Sequence, residues 1–211
     1  MSSISASSEF LPAERETLLG IALDSIVSGL ECGQPVRIAP EALPDKLSES
    51  RASFVTLEQE GKLRGCIGSL EPHTMLVDDV SHNAYAAAFK DPRFKPLQAD
   101  ELESLTIQVS VLGQAEAFNF DSELDLVRQL RPGVDGLILK DNEFRGTFLP
   151  SVWKSLPEPG KFLAHLKLKA GLPGDHWSDT VRVWRYTTES FSASVPEIRA
   201  AARGYLEEAL K

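Results

Sequence analysis

Leu63-Arg64-Gly65-Cys66-Ile67-Gly68 places a charge, a thiol and two glycines inside a strand-like run, a combination that ordinary packing does not require. It follows Ser53-Phe54-Val55-Thr56-Leu57 and a polar connection that contains Gly61. Two runs of this kind, separated by a short polar segment with a glycine, are typical of a β-hairpin. The sequence therefore predicts a hairpin over residues 53–68.

The chemistry of this hairpin depends on which side chains share a face. Side chains alternate along a strand, so Arg64, Cys66 and Gly68 are expected on one face of the second strand. A guanidinium near a thiol would favour the thiolate, which is the reactive form. Gly65 and Gly68 would permit close approach of a ligand or of another backbone. We therefore interpret Cys66 and Arg64 as candidate catalytic residues and the glycines as candidate ligand contacts. A cysteine packed as a small hydrophobic residue is the alternative.

A corner rich in charge is predicted after the hairpin. Helical spacing of apolar residues predicts a helix from Thr74, its N-cap, to about Lys90. Pro92 pushes the preceding residue out of the helical region, so this helix must end near Asp91. Asp91 and Arg93 are then held on a constrained corner. They are candidate ligand contacts, or they cap the helix and bridge to a loop.

Two further elements complete the first half of the chain. Residues 14–30 are predicted to form an amphipathic helix over the core, with Pro12 before it and Gly33 after it. Residues 105–112 alternate apolar and polar side chains, which is typical of a strand with one buried and one polar face. Ser110, on the polar face, is a further candidate ligand contact.

The second half repeats this order of elements. Arg145-Gly146-Thr147 stands in a second predicted hairpin where Arg64-Gly65-Cys66 stands in the first, and Arg145 is a candidate ligand contact. A helix predicted over residues 159–170 and a strand over 180–186 follow. We therefore predict an α+β fold, with a largely antiparallel sheet flanked by helices and built from two β-β-α-β repeats, an internal duplication with lobes at about 52–113 and 134–188.

Composition limits the function classes. The chain has 22 Lys and Arg against 31 Asp and Glu, a net charge of −9, which argues against a broad nucleic-acid surface. Two cysteines without paired spacing indicate a reducing compartment, and we expect the cytoplasm. No apolar run is long enough to span a membrane. No Cys or His spacing predicts a metal site, and no cofactor is expected.

The ends of the chain are expected to differ from its middle. The serine-rich start lacks the basic opening and apolar run of a secretion signal. Residues 1–12 are predicted to be a disordered tail, and residues 196–211 a C-terminal helix.

Four motifs in order resemble the AMMECR family, which in bacteria is called AmmeMemoRadiSam system protein A. They are Leu63 to Gly68, Asp91-Pro92-Arg93-Phe94, Phe148-Leu149-Pro150-Ser151-Val152-Trp153 and Lys169-Ala170-Gly171-Leu172. The resemblance covers roughly residues 18–191 and implies an AMMECR-type domain over about 13–195, with an antiparallel sheet built from repeated β and α elements. It also implies a pathway shared with a Memo-like protein and a radical S-adenosylmethionine protein.

Three functional hypotheses follow. The chain is a component of that pathway, with a cleft centred on Leu63 to Gly68 that accepts a small polar or anionic ligand. Alternatively, it is a thiol-dependent enzyme in which Arg64 activates Cys66. The third hypothesis, a nucleotide or nucleic-acid binding module, is the one that the acidic composition favours least.

Overall fold

The structure is a computed structural model that describes residues 9–38 and 44–209, with the side chains of residues 203–209 excluded. The chain divides into two compact units. Unit 1 comprises residues 1–111 and 189–211, and unit 2 comprises residues 112–188. Each unit has its own hydrophobic core.

Helices and strands alternate along the chain. In order they are α1 (Pro12–Cys32), α2 (Asp45–Ser48), β1 (Ser53–Gln59), β2 (Lys62–Gly68), α3 (Leu76–Phe89), a 3₁₀ helix (Ala99–Ser104), β3 (Leu105–Leu112), β4 (Glu116–Ala117), α4 (Glu123–Gln129), β5 (Gly136–Asp141), β6 (Phe144–Phe148), a 3₁₀ helix (Pro150–Lys154), α5 (Pro159–Ala170), β7 (Arg182–Tyr186), β8 (Thr188–Ser194) and α6 (Val195–Ala209). The α+β class predicted from the sequence is confirmed. The strands form two sheets, ordered β2-β1-β3-β8 and β4-β7-β5-β6.

Local sequence explains the first hairpin. Glu60 and Gly61, between β1 and β2, both have positive φ angles of 51° and 72°. A two-residue turn of this kind matches the twist of the strands that it joins. β1 is also antiparallel to β3, so it lies in the middle of the unit 1 sheet and β2 lies at one edge.

The pairing of β2 with β1 is interrupted once. Leu57 lies opposite Gly65, whereas Glu58 lies opposite Leu63, so Arg64 is an extra residue on β2. This is a β-bulge, which bends the strand and changes the direction of its side chains. The regular alternation predicted for Leu63 to Gly68 is therefore wrong at Arg64.

The core of unit 1 lies between its sheet and the helices α1 and α3. Val55, Leu57 and Ile107 are fully buried on the sheet, and Leu18 and Val80 are fully buried on the two helices. α1 ends as the sequence predicts, with Gly33 in the left-handed conformation at φ 72°.

The chain joins this core before α1 begins. Phe10, which the sequence interpretation placed in a disordered tail, is 1% exposed and belongs to the core of unit 1. Residues 1–8 of that predicted tail lie outside the described residues, as do residues 210–211 of the predicted C-terminal helix.

Unit 2 packs α5 against the β5–β6 hairpin around an aromatic pair. The rings of Trp153 and Phe162 stack with centroids 3.8 Å apart, and the Trp153 indole donates a hydrogen bond of 2.7 Å to the Asp135 carbonyl. α5 spans the predicted residues and ends at Gly171, at φ 90°.

Two details differ from the sequence predictions. α3 begins at Leu76 with Met75 as its N-cap, so Thr74 does not cap it. α2, a helix of four residues, is not among the elements predicted from the sequence. Within the described ranges, no helix combines the length and the apolar character needed to cross a membrane.

Candidate functional site

Cys66 lies on β2, on the face of the sheet that points away from α3. Its neighbour Gly65 faces α3, and Cys66 therefore projects to the opposite face. The thiol is half-buried and accepts a hydrogen bond of 3.3 Å from the hydroxyl of Thr56, directly opposite on β1. Gln108 on β3 continues the same cross-strand row.

Asp91 and Arg93 hold the free edge of β2 at Cys66. The Asp91 carboxylate accepts the Cys66 backbone N–H at 2.9 Å, and the Arg93 guanidinium donates to the Cys66 carbonyl at 3.2 Å. Edge strands present unpaired backbone groups, and here two side chains take the place of the missing strand. The corner predicted from Pro92 thus fixes the backbone of the cysteine.

Asp91 is the most constrained charge of this cluster. Its side chain is 2% exposed, and its oxygens accept bonds from the Arg93 guanidinium at 2.7 and 2.9 Å and from the Arg93 backbone N–H at 3.1 Å. The Arg93 guanidinium, followed by the Cys66 and Arg93 backbone N–H groups, holds the pKa of Asp91 well below its usual range despite burial. Asp91 is therefore ionised at neutral pH.

Arg93 is the cation beside the thiol. Its pKa is raised, chiefly by the hydrogen bond to Asp91 and further by the Cys66 side chain. Since 54% of the Arg93 side chain is exposed, the guanidinium also faces solvent. An arginine next to a thiol favours the thiolate over the neutral form.

Arg64 does not have the role predicted for it. It donates to both oxygens of Glu101, at 2.8 and 3.0 Å, and to the Lys95 carbonyl at 3.0 Å. The hydrogen bond to Glu101 raises the pKa of Arg64, and Arg64 in turn lowers the pKa of Glu101. Among the described residues, no hydrogen bond joins Arg64 to Cys66. The bulge and this ion pair explain the correction.

At Gly65 and at Gly68, another part of the chain occupies the space that a side chain would take. A Cβ on Gly65 would lie 2.1 Å from the Ala87 carbonyl oxygen of α3. A Cβ on Gly68 would lie 2.2 Å from the Phe54 ring. The sequence interpretation allowed close approach of a ligand or of another backbone, and the structure shows a helix backbone against Gly65 and an aromatic ring against Gly68.

The remaining predicted contacts lie apart from the thiol. Ser110 shares a hydrogen bond of 2.8 Å with Ser190 and lies in the cross-strand row of Phe54, not in that of Cys66. Arg145 is exposed on β6 in unit 2. The structure thus groups Cys66 with Asp91 and Arg93.

Sequence reasoning missed Thr56 and Glu101. The register of the hairpin places Thr56 opposite the cysteine, so careful pairing of the two predicted strands could have found it. Glu101 lies in a 3₁₀ helix 37 residues after Arg64, and no local pattern connects them.

A histidine base for the thiol is not found in the described residues. His176 instead lies 2.6 Å from the Asp141 carboxylate in unit 2, which also accepts hydrogen bonds from Thr180 at 2.5 Å and Ser178 at 3.0 Å. These bonds, led by that of Thr180, lower the pKa of Asp141. The cluster ties the loop before β7 to the end of β5.

The arrangement around Cys66 is suited to thiolate chemistry. Cys66 is half-buried, its backbone is fixed by Asp91 and Arg93, and its sulfur accepts a hydrogen bond from the Thr56 hydroxyl. Over residues 9–38 and 44–209, no group of three His, Cys, Asp or Glu residues has the arrangement of a metal site.

Comparisons with known proteins agree with the fold. A protein from Methanothermobacter thermautotrophicus is 40% identical over 182 residues, which cover 84% of this chain and 93% of that protein. Protein MJ0810 from Methanocaldococcus jannaschii is 35% identical over 168 residues, 76% of this chain and 82% of that protein. The crystal structure of the uncharacterized protein PH0010 from Pyrococcus horikoshii matches with a TM-score of 0.72 and 34% identity, and the match covers 84% of this chain and 90% of that one.

The family profile gives the same result over most of the sequence. The AMMECR1 profile matches residues 19–191, which include all four motifs quoted from the sequence. The chain therefore belongs to the AMMECR1 family.

Proposed function

We propose that this chain is a cytoplasmic component of a pathway shared with a Memo-like and a radical S-adenosylmethionine protein, and that it contributes a reactive thiol, Cys66. The observation that carries the thiol proposal is the position of the Arg93 guanidinium, which donates to the backbone carbonyl of the half-buried Cys66 at 3.2 Å. Membership of the AMMECR1 family supports the pathway. Both cysteines, Cys32 and Cys66, are free, which fits a reducing compartment.

The proposed ligand site is the outer face of the unit 1 sheet around Cys66. The Asp91–Arg93 clamp fixes the backbone on both sides of the sulfur, so a substrate would meet a thiol held in one place. The exposed part of Arg93 would attract the anionic end of a ligand. The ligand is therefore a small polar or anionic molecule with an electrophilic atom that reaches the sulfur.

A partner is part of the proposal for a chemical reason. Thiol enzymes usually pair the nucleophile with a histidine base. In the described part of the chain, the hydrogen-bond partners of Cys66 are Thr56, Asp91 and Arg93, none of which is a neutral base at pH 7. A group that accepts or delivers a proton would come with the substrate or with a partner protein.

Alkylation of Cys66 tests the thiol proposal. The rate of reaction with iodoacetamide at pH 7 is measured for each cysteine by mass spectrometry in the folded chain. We expect Arg93→Met to slow labelling of Cys66 by about two- to five-fold, because the loss of one exposed ion pair has an effect of this size. Arg93→Lys keeps the positive charge and should restore most of the rate.

Cys32 is the internal control of this measurement. It is exposed at the end of α1, where its sulfur contacts Ser28, so its labelling should not respond to a change at Arg93. A Cys66 that stays unlabelled while Cys32 reacts, or that reacts equally fast in the Met and Lys variants, contradicts the proposal.

Co-purification tests the pathway. The tagged full chain is expressed in a host that encodes a Memo-like and a radical S-adenosylmethionine protein, and the recovered proteins are identified. We expect recovery of at least one of the two. Repeated absence of both, with the tagged chain well expressed, would remove the pathway while leaving the alkylation result untouched.

A further inference from the structure

A row of three positively charged residues crosses the sheet of unit 2. Lys140 on β5 lies opposite Arg145 on β6 and opposite Arg182 on β7. All three residues are exposed. Neighbouring strands are about 4.8 Å apart, so this cationic row extends over about 10 Å.

Two of the three cations in the row, Lys140 and Arg182, have no carboxylate partner among the described residues. Lys140 has no hydrogen bond or ion pair among the described residues. Arg182 donates to the backbone carbonyls of Asp179, at 3.0 Å, and Val181, at 2.9 Å, and to no carboxylate among the described residues. Asp141, next to Lys140, is buried and accepts bonds from His176, Ser178 and Thr180.

Such a row is unfavourable for the sheet itself. Like charges directly opposite each other on neighbouring strands destabilise the pairing. The chain as a whole carries a net charge of −9, so the sequence is not generally basic. Strand pairing alone therefore does not explain three adjacent cations in an acidic protein.

The corresponding row of unit 1 has a different charge. The pair Leu57–Gly65 in its hairpin corresponds in order to Leu139–Gly146 in unit 2, since both glycines face a helix. One step further out, the unit 1 row consists of Leu63, Glu58 and Thr106. The arginine that precedes the glycine in unit 1, Arg64, is the bulged residue and pairs with Glu101, so the row itself holds one acid and no arginine or lysine.

We propose that the cationic row binds the phosphate chain of a small molecule, such as a di- or triphosphate. Arginine guanidinium groups match phosphate oxygens in pairs, and a lysine between them supplies a further donor. Arg182 also lines a cavity of about 310 Å³, bounded by residues 117–121 and 181–184, which would accept the organic part of such a ligand. This site is independent of the thiol function proposed for Cys66.

The size of the row favours a small ligand over a nucleic-acid strand. An extended polyanion is bound by many cations along a continuous basic surface, whereas this row has three in an acidic protein. The cavity is at the small end of ligand sites, which are commonly about 300–1,000 Å³.

Titration calorimetry of the full chain with sodium tripolyphosphate at low salt tests the proposal. Lys140→Gln removes an exposed charge that makes no hydrogen bond or ion pair among the described residues, so the fold should be unaffected, and thermal melting checks this. We expect this variant to weaken binding by roughly tenfold, the effect of one charged hydrogen bond. Lys154→Gln is the matched control, with the same change of charge on an exposed residue of unit 2 outside the row, and should change affinity by less than about twofold.

Two comparison ligands sharpen the outcome. A nucleoside triphosphate that binds at least as tightly as tripolyphosphate, and competes with it, supports the proposal, because the cavity then accepts the organic part. The proposal is overturned if tripolyphosphate does not bind at low salt, if the Lys140 and Lys154 variants lose affinity equally, or if an oligoglutamate peptide binds more tightly than tripolyphosphate. The last result would assign the row to an acidic protein partner.

Discussion

Replacing Gly65 with alanine distinguishes a packing role for this glycine from a ligand-binding role. The added Cβ would lie 2.1 Å from the Ala87 carbonyl oxygen and 3.0 Å from its carbonyl carbon. Ordinary contacts between carbon and a carbonyl oxygen are about 3.3–3.6 Å. The β2 strand and the α3 helix must therefore move apart by roughly 1 Å to accept the methyl group.

The free-energy cost follows from the nature of the neighbour. Overpacking of a core costs typically about 1–3 kcal/mol. A helix backbone cannot rotate away as a side chain can, so we expect Gly65→Ala to lower the free energy of unfolding by about 2–3 kcal/mol. For a chain of this size, each kcal/mol changes the melting temperature by about 2–4 °C, which predicts a decrease of about 4–12 °C.

Thermal unfolding of the Gly65 variant is followed by circular dichroism, and alanine variants of two other glycines serve as controls. Gly20, within α1, has no atom within 4 Å of an added Cβ, so Gly20→Ala should stabilise the chain by about 0.4–1 kcal/mol. Gly146 is intermediate, since its Cβ would lie 2.9 Å from the Leu166 carbonyl oxygen, and the alanine variant should lose about 1–2 kcal/mol. If Gly65→Ala melts like the wild type while Cys66 labelling falls, the packing explanation is refuted and the glycine serves ligand access.

Two more predictions concern the charges around the first hairpin. The folded-state pKa of Asp91 is depressed, so the stability that Asp91 contributes is present above its unfolded pKa of about 4 and is lost as the pH falls below that value. Asp91→Asn should therefore lower the free energy of unfolding at pH 7 by about 1–3 kcal/mol, measured by urea titration. The variant should also lose less stability than the wild type when the pH is lowered. Glu101→Gln removes the anion that Arg64 binds, yet it should leave the alkylation rate of Cys66 unchanged. A large change in that rate would show that Arg64 influences the thiol.

Local patterns were sufficient to predict most of the fold. α5 carries apolar residues at helical spacing with Pro159 at its start and Gly171 after it, and it has the predicted bounds. β3 alternates apolar and polar residues and β1 alternates buried and half-buried ones, which identifies both as strands and shows their buried faces. The internal duplication stays a prediction, although a hairpin, a helix and a strand follow each other in both units.

The prediction that Arg64 lies beside Cys66 is wrong because of the extra residue in β2. Strict alternation placed Arg64 beside Cys66, but a bulge is decided by pairing across strands and leaves no mark in a single strand. Glu101 and Arg93 lie far from the hairpin in sequence, and which guanidinium reaches the thiol is decided by the path of the chain after α3. The local sequence predicted a cation near the sulfur and identified the wrong arginine.

The two edge strands, β2 and β6, each have a cation that donates to a backbone carbonyl. Lys169 donates to the Thr147 carbonyl of β6 at 2.8 Å, as Arg93 donates to the Cys66 carbonyl of β2 at 3.2 Å. An exposed edge carbonyl needs a partner whatever the protein does, so a cation at this position satisfies the fold in both units. Unit 1 differs in having the Cys66 sulfur. Arg93 has a role in thiol chemistry, in addition to its role at the strand edge, only if its charge changes the reactivity of that sulfur. Arg93→Lys preserves the charge but changes the hydrogen bonds to Asp91 and to the Cys66 carbonyl, whereas Arg93→Met removes both the charge and the hydrogen bonds. The difference between the Cys66 labelling rates of these two variants therefore measures the effect of the charge on the thiol.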